Sequence, residues 1–339
     1  MNHLWFQRGG YASKKVRRYI EREFSPEKIK KIAVIRHAAL GDQVIARPFL
    51  IEVRKFFPNA EITLVGVSNY RYGMPSDLAD ITLVMAGREQ KGTMSLGDRL
   101  RDFRQLPPQD IIFDVAGTSR SRWMTLFSKA TLKVGFPYRP YFGRALYNVT
   151  VFRSDFQPEL ECMLDMLKLL GHNPSRPLDF GYPSHLSLYD TSSPTPAILY
   201  FNGASSVLKI LPQAQMREVL EIASRELPGY QHVYLEGKND YEKGDCFLGL
   251  TERDNVSIQP CLPLDGLIDR VARARLVVSP DTGVRNVAVS THTPSVGIFY
   301  STVPFRYTPL DGRHHIVMQA DGAVPSTEQI VAAIKGALG

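Results

Sequence analysis

A run of apolar residues that ends in a carboxylate, a hydroxyl and a glycine is the segment of this chain best suited to bind a ligand. Residues 276–280 have the pattern of a buried parallel strand that a proline stops. Asp281, Thr282 and Gly283 follow directly, and a helix is predicted to begin after them. Glycine lets the backbone approach a ligand, and the free N–H groups of a helix start suit a phosphate. An Asx-type turn that only caps the helix explains the motif equally well.

Two other predicted strands end in comparable turns. Residues 31–44 read as a strand, a loop of small residues and a Gly41–Asp42 pair that opens a helix. Residues 197–206 read as a strand that ends in Asn-Gly-Ala-Ser-Ser, and Lys209 stands before an amphipathic helix predicted over residues 213–227. Small residues, hydroxyls and a lysine can hold a diphosphate. Because ligands bind beyond the carboxyl ends of parallel strands, the three turns together indicate a binding cleft.

Length and composition are typical of a two-domain α/β enzyme. The chain has 339 residues, more than one hydrophobic core usually organises, and 44% of them are hydrophobic. The sequence contains neither an apolar run long enough to span a bilayer nor the features of a signal peptide. Three scattered cysteines favour neither a disulfide framework nor a metal cage. We therefore expect a cytoplasmic protein.

Strand and helix patterns alternate in two series that a proline-rich passage separates. The sequence predicts four segments. They are a basic N-terminal extension at residues 1–30, a first Rossmann-like domain at 31–180, a linker at 181–196 and a second Rossmann-like domain at 197–339. No internal repeat and no low-complexity tract is recognisable.

The formal net charge of +7 is unevenly distributed, which indicates an acidic partner. Between Ser13 and Phe24, cations alternate with Val16, Tyr19 and Ile20, so this segment is predicted either to lie on an anionic membrane surface or to pack as a solvated helix on the domain's flank. A second basic zone, interleaved with aromatic residues, follows the strand at residues 111–115 and includes Arg120, Arg122, Lys129, Lys133, Arg139 and Arg144. No recognised nucleic-acid module accompanies these residues, and an anionic glycolipid or a phosphorylated sugar fits them as well as a nucleic acid.

These motifs, in this order and spacing, resemble glycosyltransferase family 9, the ADP-heptose:lipopolysaccharide heptosyltransferases. The resemblance covers nearly the whole chain after residue 30. It rests on the Ile-Arg-x-x-x-Leu-Gly-Asp segment at residues 35–42, the Asn-Gly-Ala-Ser turn at 202–205 with Lys209 and Pro212, and the Val-Val-Ser-x-Asp-Thr-Gly segment ending at Gly283. Each motif is of modest specificity, and the combination is specific.

The resemblance implies an α/β protein of the GT-B fold, with two Rossmann-like domains facing a central cleft. The first domain would bind the acceptor and the second the nucleotide sugar, expected to be ADP-heptose. It further implies inversion at the sugar carbon without a metal or other cofactor. The absence of an Asp-x-Asp pair and of clustered His or Cys residues in the sequence is consistent with this.

The resemblance also implies roles for individual residues. Asp42 would be the general base, although it could simply cap its helix. Donor-binding positions are expected at Gly41, Gly203, Ala204, Ser205, Ser206, Lys209, Glu242, Leu262, Asp281, Thr282, Gly283 and Asn286. An anionic glycolipid or glycan acceptor would meet His37, Arg120, Arg122, Arg139 and Arg144. The enzyme is expected in the cytoplasm, with peripheral contact at the inner face of the membrane and no nucleic-acid partner.

One departure from the family pattern keeps other functions open. The family usually has a histidine where this chain has Asn286, and asparagine cannot carry a positive charge. Neighbouring Arg285 would either restore charge near the diphosphate or mark a different donor. The alternatives are a same-fold transferase with another sugar nucleotide or a protein acceptor, and a non-catalytic sugar-nucleotide-binding protein. A Rossmann dehydrogenase fits less well, because the Gly-x-Gly-x-x-Gly fingerprint is missing after the first strand.

Overall fold

The protein consists of two α/β units that divide between Gly181 and Tyr182. We describe each unit by itself from a computed structural model. The structure describes residues 6–7, 10–90, 92–137, 146–189, 195–309 and 311–339. Five residues of the predicted linker, 190–194, therefore lie outside the described residues.

The first unit is built on a mostly parallel seven-stranded sheet. Its strands are β1 (Phe6–Gln7), β2 (Tyr11–Ala12), β3 (Lys31–Ile35), β4 (Glu61–Val67), β5 (Ile81–Met85), β6 (Gln109–Asp114), β7 (Ala130–Gly135), β8 (Val149–Thr150) and β9 (Arg153–Ser154). The order in the sheet is β2-β8-β7-β6-β3-β4-β5, and β1 and β9 form a separate antiparallel pair. The central strands β3, β4 and β6 are apolar on both faces because helices cover both sides of a parallel sheet.

Six helices in the described part of this unit surround the sheet. They are α1 (Lys14–Arg22), α2 (Leu40–Ile45), α3 (Arg47–Phe56), α4 (Leu96–Phe103), α5 (Ser119–Phe127) and α6 (Glu159–Lys168), with 3-10 turns at Pro26–Lys28, Ser68–Tyr70, Ser76–Leu78 and Arg88–Gln90. The helix predicted to open at Gly41–Asp42 is divided into two helices, because the chain bends at Ala46. Pro48 lies in the first turn of the second helix. Phe49 and Val53 then turn the apolar side of α3 onto the sheet.

Residues 10–30 belong to the first unit, although the sequence pattern treats them as an extension. Tyr11 and Ala12 pair with β8, so they extend the sheet at its edge. Ser13 caps α1 by accepting a hydrogen bond from the Val16 N–H, and Val16 is buried. The structure shows a helix packed on the flank of the unit, with its cations in solvent, and contact of this helix with a membrane surface stays a prediction.

The second unit has a fully parallel six-stranded sheet. Its strands are β10 (Ala197–Tyr200), β11 (Gln231–Leu235), β12 (Val256–Gln259), β13 (Leu276–Pro280), β14 (Ser295–Ile298) and β15 (His314–Val317), in the order β12-β11-β10-β13-β14-β15. The six parallel strands of the first unit, β3 to β8, follow the same pattern. This is the Rossmann order, in which successive connections run outward in opposite directions from the first strand. The prediction of two Rossmann-like domains is confirmed.

Helices cover both faces of the second sheet. They are α7 (His185–Leu188), α8 (Gln213–Glu226), α9 (Leu264–Ala272), α10 (Gly283–Ser290) and α11 (Thr327–Leu338), with 3-10 turns at Val207–Lys209, Asp240–Glu242, Asp245–Leu250 and Pro304–Tyr307. Part of the predicted linker packs onto this unit, because the His185 N–H donates to Thr291 O at 2.7 Å. Along the described chain, no helix is long and apolar enough to cross a membrane.

The close approach of Gly135 to Tyr147 gives a test of packing in the first unit. A methyl group on Gly135 would lie 2.5 Å from the Tyr147 ring. Tyr147 is buried and donates a hydrogen bond to Asp114, so its ring is held in place. We expect Gly135→Ala to lower the free energy of unfolding by about 1–3 kcal/mol, measured by urea denaturation. The control is Gly92→Ala, where a methyl group meets no described atom within 4 Å. Equal stability of the two variants would contradict this packing.

Candidate active site

In the first unit, two turns meet where the connections from the sheet diverge. Strands β3 and β6 are neighbours, and the chain leaves them in opposite directions, toward β4 and toward β7. The turns that follow these strands are joined by hydrogen bonds. Arg36 Nη1 donates to Val115 O at 3.0 Å, and His37 Nδ1 lies 3.0 Å from Thr118 Oγ1. This divergence, the switch point of an open α/β sheet, is where such folds bind ligands.

Arg36 anchors the switch point of the first unit through a buried ion network. Its Nη1 donates to Glu159 Oε1 at 2.9 Å, and its Nη2 donates to the backbone oxygen of Asp42 at 3.1 Å. Glu159 also accepts a hydrogen bond from Arg153 at 3.0 Å, and the Arg153 guanidinium lies over the Phe136 ring at 4.5 Å. A carboxylate between two guanidiniums offsets part of the cost of burying charge. The network therefore fixes the turn that carries Asp42.

The Asp42 carboxylate lies at the surface end of this network. Asp42 occupies the first turn of α2, where a carboxylate is favoured by the helix dipole. Its side chain is 31% exposed, and its Oδ1 lies 3.8 Å from Arg36 Nη2. Gly41, which the resemblance assigns to the donor, is buried beside it in the first unit. The arrangement offers an accessible carboxylate on a rigid turn, which is what a general base needs.

His37 and Arg120 lie close to this turn. Burial, together with the positive charges of Arg120 and Arg36, lowers the pKa of His37 to about 3. The imidazole is therefore neutral at physiological pH, and no described residue hydrogen-bonds its Nε2. Arg120 is half-buried and donates to Gly87 O at 2.8 Å. Of this pair, only the arginine offers a charge to an anionic acceptor.

The other arginines assigned to the acceptor are less well placed or not described. Arg122 interacts with the Tyr147 hydroxyl, which itself donates to Asp114 at 2.5 Å. Burial raises the pKa of the Asp114 carboxyl, with Tyr147 and backbone donors opposing that effect. Arg120 and Arg122 are two positions apart on α5, and such residues do not share a face of a helix. Arg122 is therefore directed toward this interior group, unlike Arg120. Two predicted acceptor positions lie outside the described residues, namely Arg139 and Arg144.

The switch point of the second unit brings the two predicted donor turns together. Strands β10 and β13 are neighbours, with Tyr200 opposite Val278. Lys209 Nζ lies 2.6 Å from Asp281 Oδ2, so an ion pair joins the turn after β10 to the turn after β13. Asp281 is buried, whereas a quarter of the Lys209 side chain is exposed. The lysine is thus positioned between a buried carboxylate and solvent.

Thr282 and Gly203 have defined local roles in these turns. Thr282 caps α10, because its Oγ1 accepts a hydrogen bond from the Val284 N–H at 3.0 Å. A methyl group on Gly203 would lie 2.5 Å from Glu242 Oε1, so glycine is required for this close approach. Glu242 is buried, and its Oε2 accepts hydrogen bonds from the backbone and side-chain nitrogens of Asn239, both at 3.0 Å. Because Thr282 caps α10, the N–H groups of the first turn of this helix point away from the helix body, as at any helix start.

The remaining donor positions lie in or near the same turns. Ala204 is buried, Ser205 is exposed and Ser206 is half-buried. Leu262 is half-buried just before α9, and Gly283 is the first residue of α10.

Asn286 and Arg285 differ sharply in their surroundings. Asn286 is buried in α10, and no described residue hydrogen-bonds its Oδ1. Arg285 is completely buried; it donates to Tyr307 O at 3.1 Å and to Thr308 Oγ1 at 2.7 Å. Burial lowers the pKa of Arg285 to about 10, so it remains a cation. These bonds hold the guanidinium in the interior, where its charge interacts with that of Asp281.

Several residues that organise the site are missed by sequence reasoning. Arg36 lies inside the quoted motif, so its position is a usable signal, but its partner Glu159 lies 123 residues away with no motif of its own. Asn202 also lies in a quoted turn. Its side chain closes the turn by donating to Leu211 O at 3.0 Å and accepting from Leu211 N at 3.1 Å.

In the described ranges, no three His, Cys, Asp or Glu side chains gather into a group that could hold a metal ion.

Comparison with known proteins identifies the family. The model of glycosyltransferase family 9 (heptosyltransferase) matches residues 99–332, more than half of the chain. The chain belongs to glycosyltransferase family 9. It is therefore a glycosyltransferase, as the sequence motifs predicted. It is also 22% identical over 300 residues to the lipopolysaccharide core heptosyltransferase OpsX of Haemophilus influenzae, with 85% of this chain and 84% of OpsX covered.

Solved structures of family 9 members share the fold. The E. coli heptosyltransferase WaaC with ADP is similar with a TM-score of 0.70 at 17% identity, covering 90% of this chain and 98% of WaaC. WaaC with ADP-2-deoxy-2-fluoro heptose gives a TM-score of 0.68 at 16% identity, with the same coverage of both chains. The predicted GT-B class is confirmed by two parallel-sheet units and by this likeness.

The ion network around Glu159 predicts a large loss of stability when its charge is removed. In Glu159→Gln, two buried guanidiniums lose their shared carboxylate. We expect the free energy of unfolding, measured by urea denaturation, to fall by about 3–5 kcal/mol.

The control for this variant is Asp165→Asn on the same helix. Asp165 pairs with Lys168 at the surface, where an ion pair contributes about 0–1 kcal/mol. Similar losses in the two variants would mean that Glu159 does not hold buried charge.

Proposed function

We propose that this family 9 glycosyltransferase transfers a heptose, or a related sugar, from a nucleotide diphosphate donor to lipopolysaccharide core or another surface glycan. ADP-heptose is the proposed donor. The observation that carries the proposal is that Asp42 and Lys209 each stand at the switch point of their own unit. The names of the relatives support it, because OpsX is a lipopolysaccharide core heptosyltransferase and WaaC was solved with ADP and with an ADP-heptose analogue.

Asp42 is the proposed general base. Its carboxylate takes the proton of an acceptor hydroxyl while that oxygen forms a bond to the anomeric carbon of the sugar. The bond from this carbon to the diphosphate oxygen breaks, and attack from the opposite side inverts the configuration. Arg36 supports this role by fixing the turn through the Asp42 backbone oxygen.

Positive charge for the leaving diphosphate is assigned to the second unit. Lys209 supplies an ammonium group, and the N-terminus of α10 at Gly283 supplies N–H groups and a partial positive charge. In this scheme, neither a metal nor another cofactor takes part. Asp281 would then exchange its bond to Lys209 for contact with sugar hydroxyls. The other donor contacts are assigned to Gly41, Gly203, Ala204, Ser205, Ser206, Glu242, Leu262, Thr282 and Asn286.

The acceptor is proposed to be an anionic glycolipid or glycan bound by the first unit. Arg120 would contribute charge and neutral His37 a hydrogen bond, with Arg122, Arg139 and Arg144 as further cations. We place the reaction in the cytoplasm, with peripheral contact at the inner face of the membrane. The three free cysteines, Cys162, Cys246 and Cys261, fit a reducing compartment.

Asn286 favours a second candidate, a transferase of the same fold with a different sugar nucleotide. A buried amide whose oxygen accepts no hydrogen bond from a described residue can select a donor by hydrogen bonding without adding charge. A protein acceptor and a non-catalytic sugar-nucleotide-binding protein remain outcomes of the experiments below.

The first experiment measures nucleotide binding by isothermal titration with ADP, UDP and GDP. We expect the protein to bind ADP more tightly than UDP or GDP. We expect Lys209→Ala to raise the Kd for ADP about tenfold to a hundredfold, because a charge-assisted hydrogen bond is lost. The control is Lys335→Ala, an exposed lysine on α11. Preference for UDP or GDP would reject ADP-heptose as the donor, and no nucleotide binding would reject the donor site.

The second experiment tests Asp42 with a transfer assay. Asp42→Asn keeps the shape of the side chain and removes the base, so kcat should fall about 10²–10⁴-fold while the Kd for ADP is nearly unchanged. Asp42→Ala should behave alike. Turnover close to wild type in both variants would remove Asp42 from the mechanism, whereas absence of transfer by the wild type with every glycan, glycolipid and protein acceptor would favour the non-catalytic alternative.

A further inference from the structure

The outer surface of α4 and α5 presents an uncovered apolar stripe. Leu96 is 82% exposed, Trp123 49% and Phe127 36%. Leu100 and Phe103 continue the stripe along α4 and are half-buried, and the inner side of the Phe103 ring packs against the core of the unit. Helix α4 has no buried residue. An apolar helix face in a folded protein normally packs against another element. We call Leu96, Leu100, Phe103, Trp123 and Phe127 the aromatic stripe.

The aromatic stripe is a preformed surface, since its rings hold one another in place. Trp123 and Phe127 stack with their ring centroids 5.9 Å apart and their planes 17° apart. Phe103 on α4 lies 6.4 Å from each of them, so the rings join the two helices. Contacts of this kind restrict the side chains before any partner binds, which lowers the entropic cost of docking.

Cations border the aromatic stripe. Residues 96–104 and 123–129 contain four cations and two carboxylates, a formal net charge of +2. Arg104 lies over the Phe127 ring at 5.3 Å, and Arg101 is largely exposed although it pairs with Asp98. Asp102 is turned inward, where its Oδ1 accepts from the Ala86 N–H at 3.3 Å. The stripe therefore presents aromatic rings and positive charge to solvent together.

We propose that the aromatic stripe docks the protein on the interface of an anionic lipid bilayer. Tryptophan and phenylalanine partition into the headgroup region, and each nearby cation adds attraction to anionic lipids. A second copy of the chain is a poorer occupant, because its net charge of +7 would repel this positively charged surface. The inference rests on the membrane contact in the proposed function and assigns that contact to α4 and α5.

Helix α1 is a weaker candidate for the same contact. Its Val16 is buried, and its Tyr19 ring packs edge-on against Phe24 at 6.2 Å. The apolar side chains that would enter a membrane interface are thus engaged with the protein. Its cations can add long-range attraction, which falls away with salt.

The test uses the full-length chain with vesicles of phosphatidylcholine alone or mixed with phosphatidylglycerol. The chain has two tryptophans, so Trp5→Phe leaves Trp123 as the single fluorescent reporter. We expect sedimentation with the anionic vesicles and a blue shift of Trp123 emission as the ring leaves water. The double variant Trp123→Ala/Phe127→Ala should bind these vesicles about tenfold more weakly or worse. The charge variant Arg101→Glu/Arg104→Glu, which leaves the rings in place, should also lose binding.

A matched variant replaces the α1 cations Lys14, Lys15, Arg17 and Arg18 with glutamine and should retain the Trp123 shift. Binding that disappears in this variant but survives in the stripe variants would overturn the proposal. So would an unshifted Trp123, or lipid-free self-association that Trp123→Ala abolishes. Titration of the stripe variants with ADP separates the two proposals. Intact ADP binding without vesicle binding would refute the membrane surface and leave the proposed transfer reaction untouched.

Discussion

Both switch points depend on one constraint, which is that an open, doubly wound parallel sheet sends its connections outward in both directions from its first strand. In each unit this occurs between the first and fourth parallel strands, β3 with β6 and β10 with β13. The backbones there separate, and the turns after the two strands are free to carry polar groups instead of packing under a crossover. Asp42 in one unit and Lys209 with Asp281 in the other occupy this position.

Both switch points hold their charges in pairs. Arg36 is held by Glu159 in the first unit, and Lys209 by Asp281 in the second. The first pair is buried on both sides and acts as a fixed support, whereas the Lys209 side chain reaches solvent and can exchange partners. This difference follows from burial, because a buried pair that loses one member leaves a charge without solvation. The switch point of the first unit is thus rigid, and that of the second unit carries an exchangeable cation.

Sequence patterns predicted the elements that local periodicity specifies. The strands near Ile32, Ile111 and Leu276, the helix from Gln213, and the turns that follow the central strands are all present. Contacts between distant residues were not predictable. The two-residue strand β2 has too few residues to show a period. The Arg36–Glu159 pair joins residues far apart in the sequence, and the inward direction of Arg122 depends on Tyr147. The predicted roles of Asp42, Lys209 and the donor turns stay predictions.

The same strand order also sets when each unit can assemble. The central pairings join Ile32 to Ile111 and Ile198 to Leu276, in both cases about 80 positions apart. Such pairings require a long loop to close before they add stability, so sheets of this kind form slowly. In the first unit, β1 and β2 pair with β9 and β8, so the first two strands of this unit to be synthesised cannot pair until its last two strands have been made. During synthesis, β1 and β2 therefore stay unpaired until the rest of the first unit is available, which slows the completion of that unit.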